Sequence, residues 1–184
     1  MTTAQSGSND VAKALVDGAL AAFRANKGWA DRAVVQLPDD KLHVALDPNT
    51  NCIAVIMKHV AGNLLSRWTD FLTSDGEKPD RDRDREFETT AQESRADIVK
   101  WWDDGWFIAM ASLEALGPED LDRTVHIRGE AFLVIEALNR SLAHTASHVG
   151  QIVYLARHFA GDTWTSLTIP KGASAGLKGD FKSR

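Results

Sequence analysis

A single cysteine, Cys52, leaves no partner for a disulfide within the chain, so no cross-linked framework holds the fold and a reducing compartment is implied. Positive charge is scarce relative to negative: 21 Lys and Arg stand against 26 Asp and Glu, a formal net charge of −5. No basic face emerges, and no nucleic-acid partner is expected. No apolar run approaches the ~20 residues of a membrane span, and the first ten residues lack the apolar core of a secretion signal. The expectation is therefore a cytoplasmic protein without a membrane partner. Alternating apolar and polar runs are nearly absent, which speaks against an extensive half-buried sheet. What the chain does have is apolar content, 43%, enough for the core of one domain.

Helical spacing dominates the rest. After a small, polar start over residues 1–8, expected to be disordered, a first helix is predicted from about Asn9-Asp10, with Val11, Leu15, Ala19, Ala22 and Phe23 on one stripe. Gly28, Pro38 and Pro48 punctuate the connection to the next helix. Asn49-Thr50-Asn51 offers capping oxygens to that second helix, over about 52–73. Its stripe is Ile53, Ile56/Met57, Val60, Leu64, Trp68 and Phe71. Residues 74–90 read as a loop. A third helix over about 91–116 carries Ile98, Trp102, Trp106, Ala109 and Leu113, and Gly117-Pro118 stops it. A short extended piece over 124–128 ends at Gly129-Glu130. A fourth helix over about 131–159 is closed by Gly161, and residues 162–184 look irregular. These patterns predict an all-α chain, a four-helix bundle with long connecting loops over residues 9–172 and a C-terminal tail over 173–184.

Three histidines carry the chemistry. His144 and His148 are four apart in His-Thr-Ala-Ser-His, so on a helix they share a face one turn apart. Six histidines in a chain of 184 residues would place about 0.2 such pairs by chance, so spacing alone is weak. The row around the pair is Ala137, Ser141, His144, His148 and Gln151; its small residues leave space before the imidazoles where a core face would be filled. His59 lies on the second helix beside Gly62 and Asn63 and can bring a third imidazole. Three neutral imidazoles leave one position of a tetrahedral metal ion open to water or substrate. Such rings donate their second N–H to an acceptor, with Gln151, Asn63, Ser141 or a backbone carbonyl in reach. The competing reading makes these histidines ordinary surface or core residues.

The motifs His59-Val-Ala-Gly-Asn63 and His144-Thr-Ala-Ser-His148-Val-Gly-Gln151 resemble the DinB-like (DinB/YfiT) superfamily. The stretches Asn63–Pro79, Arg83–Phe87, Ile127–Glu130, Asn139–His144 and Trp164–Gly172 are similar to an uncharacterised bacterial branch of it, a domain of unknown function. The likeness covers about residues 10–172. It implies a four-helix bundle, a metal triad at His59, His144 and His148 holding zinc or nickel, and a homodimer. Relatives include S-transferases that use low-molecular-weight thiols such as bacillithiol or mycothiol, and a maleylpyruvate isomerase. No thiol-binding signature carries over.

The leading expectation is a divalent-metal-dependent enzyme on a small-molecule substrate. It would be thiol S-transferase-like if a thiol takes the open position and hydrolytic if water does. The alternatives are a non-catalytic metal-binding stress or interaction protein and a plain helical dimerisation domain. No carboxylate is placed by motif as a base; Glu136, Asp70 and Glu88 are weak candidates. Arg81-Asp-Arg-Asp-Arg85 reads first as a solvated, self-neutralising loop and second as a lip whose arginines hold an anion. Trp101, Trp102 and Trp106 read as core or dimer-contact aromatics, and Cys52 as a small buried residue at a helix start. His43, His126 and His158 have no helical partner in register. Thr168–Lys171 is expected to pack across the bundle or a partner subunit.

Overall fold

The computed structural model describes residues 3–88 and 93–174. Five helices and one two-stranded sheet are formed by the described residues: α1 (Thr3–Val34), α2 (Ile53–Trp68), the single turn α3 (Arg83–Glu86), α4 (Arg95–Glu114), the hairpin β1 (Thr124–Ile127) and β2 (Glu130–Leu133), and α5 (Val134–Ala160). The four long helices pack around one core. Their main contacts join α2 to α4, α1 to α5, α2 to α5 and α1 to α4, so helices consecutive in sequence, α1 with α2 and α4 with α5, lie diagonally opposed. The connections between them therefore cross an end of the molecule rather than turn tightly. Among the described residues no helix is long and apolar enough to cross a membrane.

The stripes predicted for the second and third helices are the core. Ile53, Val60, Leu64 and Trp68 of α2 face Ile98, Trp102, Trp106, Ala109 and Leu113 of α4, all buried. Phe23 meets Trp68 and Trp106 edge to face, with ring centroids 5.9 and 6.0 Å away. Trp102 also donates its indole N–H to Asp31 at 2.8 Å. Trp101, by contrast, is exposed and lies under Lys58. Where α2 and α4 cross, a Cβ on Gly105 would sit 2.6 Å from the Ala61 carbonyl oxygen; glycine is what allows the two backbones to approach.

The register of α1 differs from the predicted stripe. Val16, Ala19, Phe23, Ala30 and Ala33 are buried, whereas Val11 and Leu15 are exposed. The buried stripe is set by where α4 and α5 lie, not by the first apolar residues of the helix. The helix also includes residues 3–8, which the sequence assigns to a disordered start. At α2 the N-cap is Cys52, buried and without a side-chain cap bond; Asn49, Thr50 and Asp47 instead form their own turn. That helix ends at Trp68, short of the predicted 73. For α4, Ser94 and Asp97 form a reciprocal capping box that starts the helix at Arg95, while the earlier start predicted near 91 lies outside the described residues.

The predicted start of the fourth helix is corrected as well. Residues 130–133 pair with 124–127 in an antiparallel hairpin. Arg128 and Gly129 both have positive φ, 57° and 77°, as a two-residue type I′ turn requires. Glu136 accepts from the Leu133 N–H at 2.8 Å and so caps α5. Beyond α5, Trp164 and Leu167 pack on the core, and Gln36 is bonded to both the N–H and the carbonyl of Thr165. Thr168–Lys171, expected to pack across the bundle or a partner subunit, is exposed on the single chain and so does not pack across the bundle. Of the predicted tail, residues 175–184 lie outside the described residues.

Candidate metal centre

Packing of α2 on α5 brings His59 against His144 and His148. One ligand nitrogen from each lies within 4.8 Å of the others, the only such group of three or more potential ligands among the described residues. The ring centroids are 4.6–5.2 Å apart, with planes crossed at 69–76°. Cys52, His43, His126 and His158 are not part of it.

Two of the three rings are oriented from behind. His59 Nδ1 lies 2.9 Å from Glu86 Oε2, and His148 Nδ1 lies 2.8 Å from Gln151 Oε1. Both partners are acceptors there, so both rings donate from Nδ1, which leaves Nε2 as the nitrogen available to an ion. His144 Nε2 is 3.1 Å from His59 Nε2. In the metal-free protein His144 donates to His59, while its buried Nδ1 has no partner. Four-coordinate zinc with imidazoles at 2.0–2.1 Å needs nitrogens about 3.3 Å apart, a spacing that the His59–His144 pair already approaches.

The electrostatics favour the neutral form of His144 and His148. Burial, with help from His148, His59 and Arg81, pushes the pKa of His144 down to about 3. Burial also lowers that of His148, against the opposing bond to Gln151. Neutral imidazoles are the ligand form, so neither of these two rings has to lose a net proton at neutral pH when a cation binds; His144 has only to move its proton from Nε2 to Nδ1.

Glu86 is the residue that sequence reasoning missed. It sits on α3, and Arg81 grips both its oxygens, Nε to Oε1 at 2.7 Å and Nη2 to Oε2 at 2.9 Å. The three side chains are almost fully buried, at 5% exposure for Arg81, 10% for Glu86 and 7% for His59. Burial opposes the charged form of Glu86, but the bonds from His59 and Arg81 outweigh it and hold the carboxyl below its ordinary value. The one signal in the sequence was Gly62, a helix-interior glycine that costs about 1 kcal/mol relative to alanine. A Cβ there would lie 2.3 Å from Glu86 Oε1. The space expected beside His59 is filled by this carboxylate.

The Arg/Asp run is accordingly divided. Arg81 is buried under the site, Asp82 caps α3, and Arg83 faces a cavity beside the histidines. The segment before α3 is tied down rather than loose. Ser66 bonds to the Gly76 carbonyl and the Lys78 N–H, at 2.9 and 3.0 Å, and Arg67 bonds to the same carbonyl and to Glu77. Asp75 accepts from the Arg128 and Gly129 N–H groups, both at 2.8 Å, which pins the hairpin turn to this segment.

The cavity, of about 310 Å³, opens onto His59 and His144. Ala137 and Ser141 form its floor on α5, as the small residues of that row imply, and Asn63 also lines it. Ser141 accepts from the Trp68 indole rather than from a histidine. Glu136, Asp70 and Glu88 do not line the cavity, so none is placed to act as a base on its contents.

No curated protein and no solved structure shows significant similarity to the chain. The family described as "Protein of unknown function (DUF1572)" matches residues 10–173, nearly the whole length, and the chain belongs to that family.

Proposed function

We propose that the chain is a DinB-like four-helix bundle that holds a divalent metal, zinc or nickel, on His59, His144 and His148, and that it is a metal-dependent enzyme acting on small molecules. The observation that carries this is the pair of fixed tautomers, His59 on Glu86 and His148 on Gln151, in a cluster whose third member is His144. Acceptors behind both rings fix the tautomer and ring orientation that a common ligand requires. The cavity beside them favours an open, catalytic centre over a closed structural one.

A divalent ion on three imidazoles would supply Lewis acidity and lower the pKa of a water or thiol taking its open position. The chain's own residues do the rest. Glu86 and Gln151 hold the rings, Arg81 keeps Glu86 ionised, and Phe87, 4.8 Å from the His59 ring, screens it from solvent. Hydrolysis and transfer of a low-molecular-weight thiol to an electrophile both fit such a site. A homodimer in the cytoplasm belongs to the same reading, by the resemblance and the cysteine count.

The test is elemental analysis of untagged protein beside His59→Ala and His144→Ala, after incubation with zinc and with nickel. The expected result is about one ion per chain in the wild type, lost in both variants with helical circular dichroism retained. An ion-free wild type would overturn the reading, as would variants that keep their ion.

A further inference from the structure

The walls of the cavity carry charge of one sign. Five arginines line it, Arg67, Arg81, Arg83, Arg128 and Arg140, and among the described residues no aspartate or glutamate does, in a chain whose net charge is −5. Three of the five are already matched. Arg67, Arg81 and Arg128 converge on Glu77 at 2.7, 3.4 and 3.2 Å, and Arg81 also holds Glu86. Arg83 and Arg140 have no carboxylate partner among the described residues.

These two guanidinium groups are placed rather than loose. Arg83 lies 4.9 Å from the centroid of Phe87, and Arg140 lies 5.9 Å from that of Phe132. A cation–π contact takes the place of no oxygen acceptor, so the N–H groups of both guanidiniums remain for an anion. Both are tied in sequence to the centre itself. Arg140 is one helical turn before His144 on α5, and Arg83 is on the same single turn as Glu86. Between them the cavity offers an apolar wall of Trp68, Phe71 and Ile127. A volume of about 310 Å³ is at the small end of ligand sites.

We propose that this cavity takes a small organic anion, its carboxylate or phosphate held by Arg83 and Arg140 and its apolar body against Trp68, Phe71 and Ile127. That the anion is a substrate rests on the metal-enzyme reading; that it binds does not. A cation in the adjacent centre would strengthen the attraction, and the fixed arginines would turn the anion's other end toward His59 and His144.

Calorimetric titration of the full chain, metal-free and zinc-loaded, tests this with succinate, inorganic phosphate and neutral succinamide. The variants are Arg83→Gln/Arg140→Gln and, as a charge control remote from the cavity, Arg32→Gln/Arg157→Gln. Succinate or phosphate is expected to bind both forms of the wild type and the control, to bind the cavity variant about tenfold or more weakly, and succinamide is not expected to bind. Preference between the two anions tells carboxylate from phosphate. No binding of either anion, equal binding by the cavity variant, or equal loss in the control overturns the proposal. Metal content separates the two readings. Zinc held without anion binding sinks only this inference. Anion binding that depends on Arg83 and Arg140 in a protein that holds no metal sinks only the metal centre.

Discussion

Replacing Glu86 with glutamine changes one atom and breaks a junction between three buried side chains. The carboxylate accepts three bonds, two from Arg81 at 2.7 and 2.9 Å and one from His59 at 2.9 Å. An amide has one oxygen. Placed at the Oε2 position, that oxygen still serves His59 and one arm of Arg81, but the amide N–H₂ then faces the other arm, donor against donor. Flipped, it faces His59. At least one charge-assisted bond is lost either way, at about 1.5–3 kcal/mol. Arg81 also loses its nearest negative charge, leaving Glu77 at 3.4 Å, and a less completely matched buried cation raises the cost to the lower end of about 3–5 kcal/mol. Taking about 3 kcal/mol, the metal-free protein should melt about 6–12 °C lower. Zinc affinity should fall by about 10–100-fold, because His59 loses the group that fixes its tautomer and raises its basicity. Circular dichroism melting of the metal-free protein and competition with a chromophoric chelator read the two effects separately. Wild-type zinc affinity in Glu86→Gln would refute the claim that this carboxylate orients His59, and an unchanged melt would refute the account of the junction.

Gly62→Ala approaches the same carboxylate from the other side. Although alanine favours the helix by about 1 kcal/mol, its Cβ would displace Glu86, 2.3 Å away, so zinc affinity should fall in the chelator assay, and the Gly62→Ala/Glu86→Gln pair should show less than the sum of the single effects. For the hairpin, backbone N–H groups of Glu77, Gly129 and Arg128 lower the pKa of Asp75 from 3.8 to about 2. A depressed folded-state value means that its stabilising contribution is complete above pH 3.8 and is lost as pH falls through about 2. A carboxyl NMR titration should find that midpoint, with faster amide exchange of Arg128 and Gly129 in Asp75→Asn; a midpoint near 3.8 would count against the pinned turn.

How much of this was legible depended on range. Helix existence follows from local periodicity, and the stripes of α2 and α4 were readable because both helices are buried along one continuous face. The stripe of α1 was not, because Val11 and Leu15 have the right spacing but extend past the elements that would cover them. The strand β2 was hidden for a different reason. Glu130–Leu133 becomes a strand through pairing with Thr124–Ile127 across the Arg128-Gly129 turn, and four residues carry too short a pattern to compete with the adjoining helix. At the site, His144, His148 and Gln151 were readable together because one helix sets their spacing. Glu86 was not, since its partner His59 is 27 positions away and only the fold of the intervening segment joins them.

That segment explains why residues which read as a surface loop sit beneath the candidate centre. A charge run is ordinarily solvated, and Asp82, Asp84 and Arg85 are exposed as that rule expects. Arg81 and Glu86 escape it because each neutralises the other and Glu86 finds a place beside Gly62, where no side chain competes. One helical turn, Arg83–Glu86, then has two faces with different tasks. Glu86 points inward to fix His59, and Arg83 lines the cavity that opens onto it. Any change that shifts this turn should therefore alter metal affinity and anion affinity together, whereas Arg83→Gln should alter only the second.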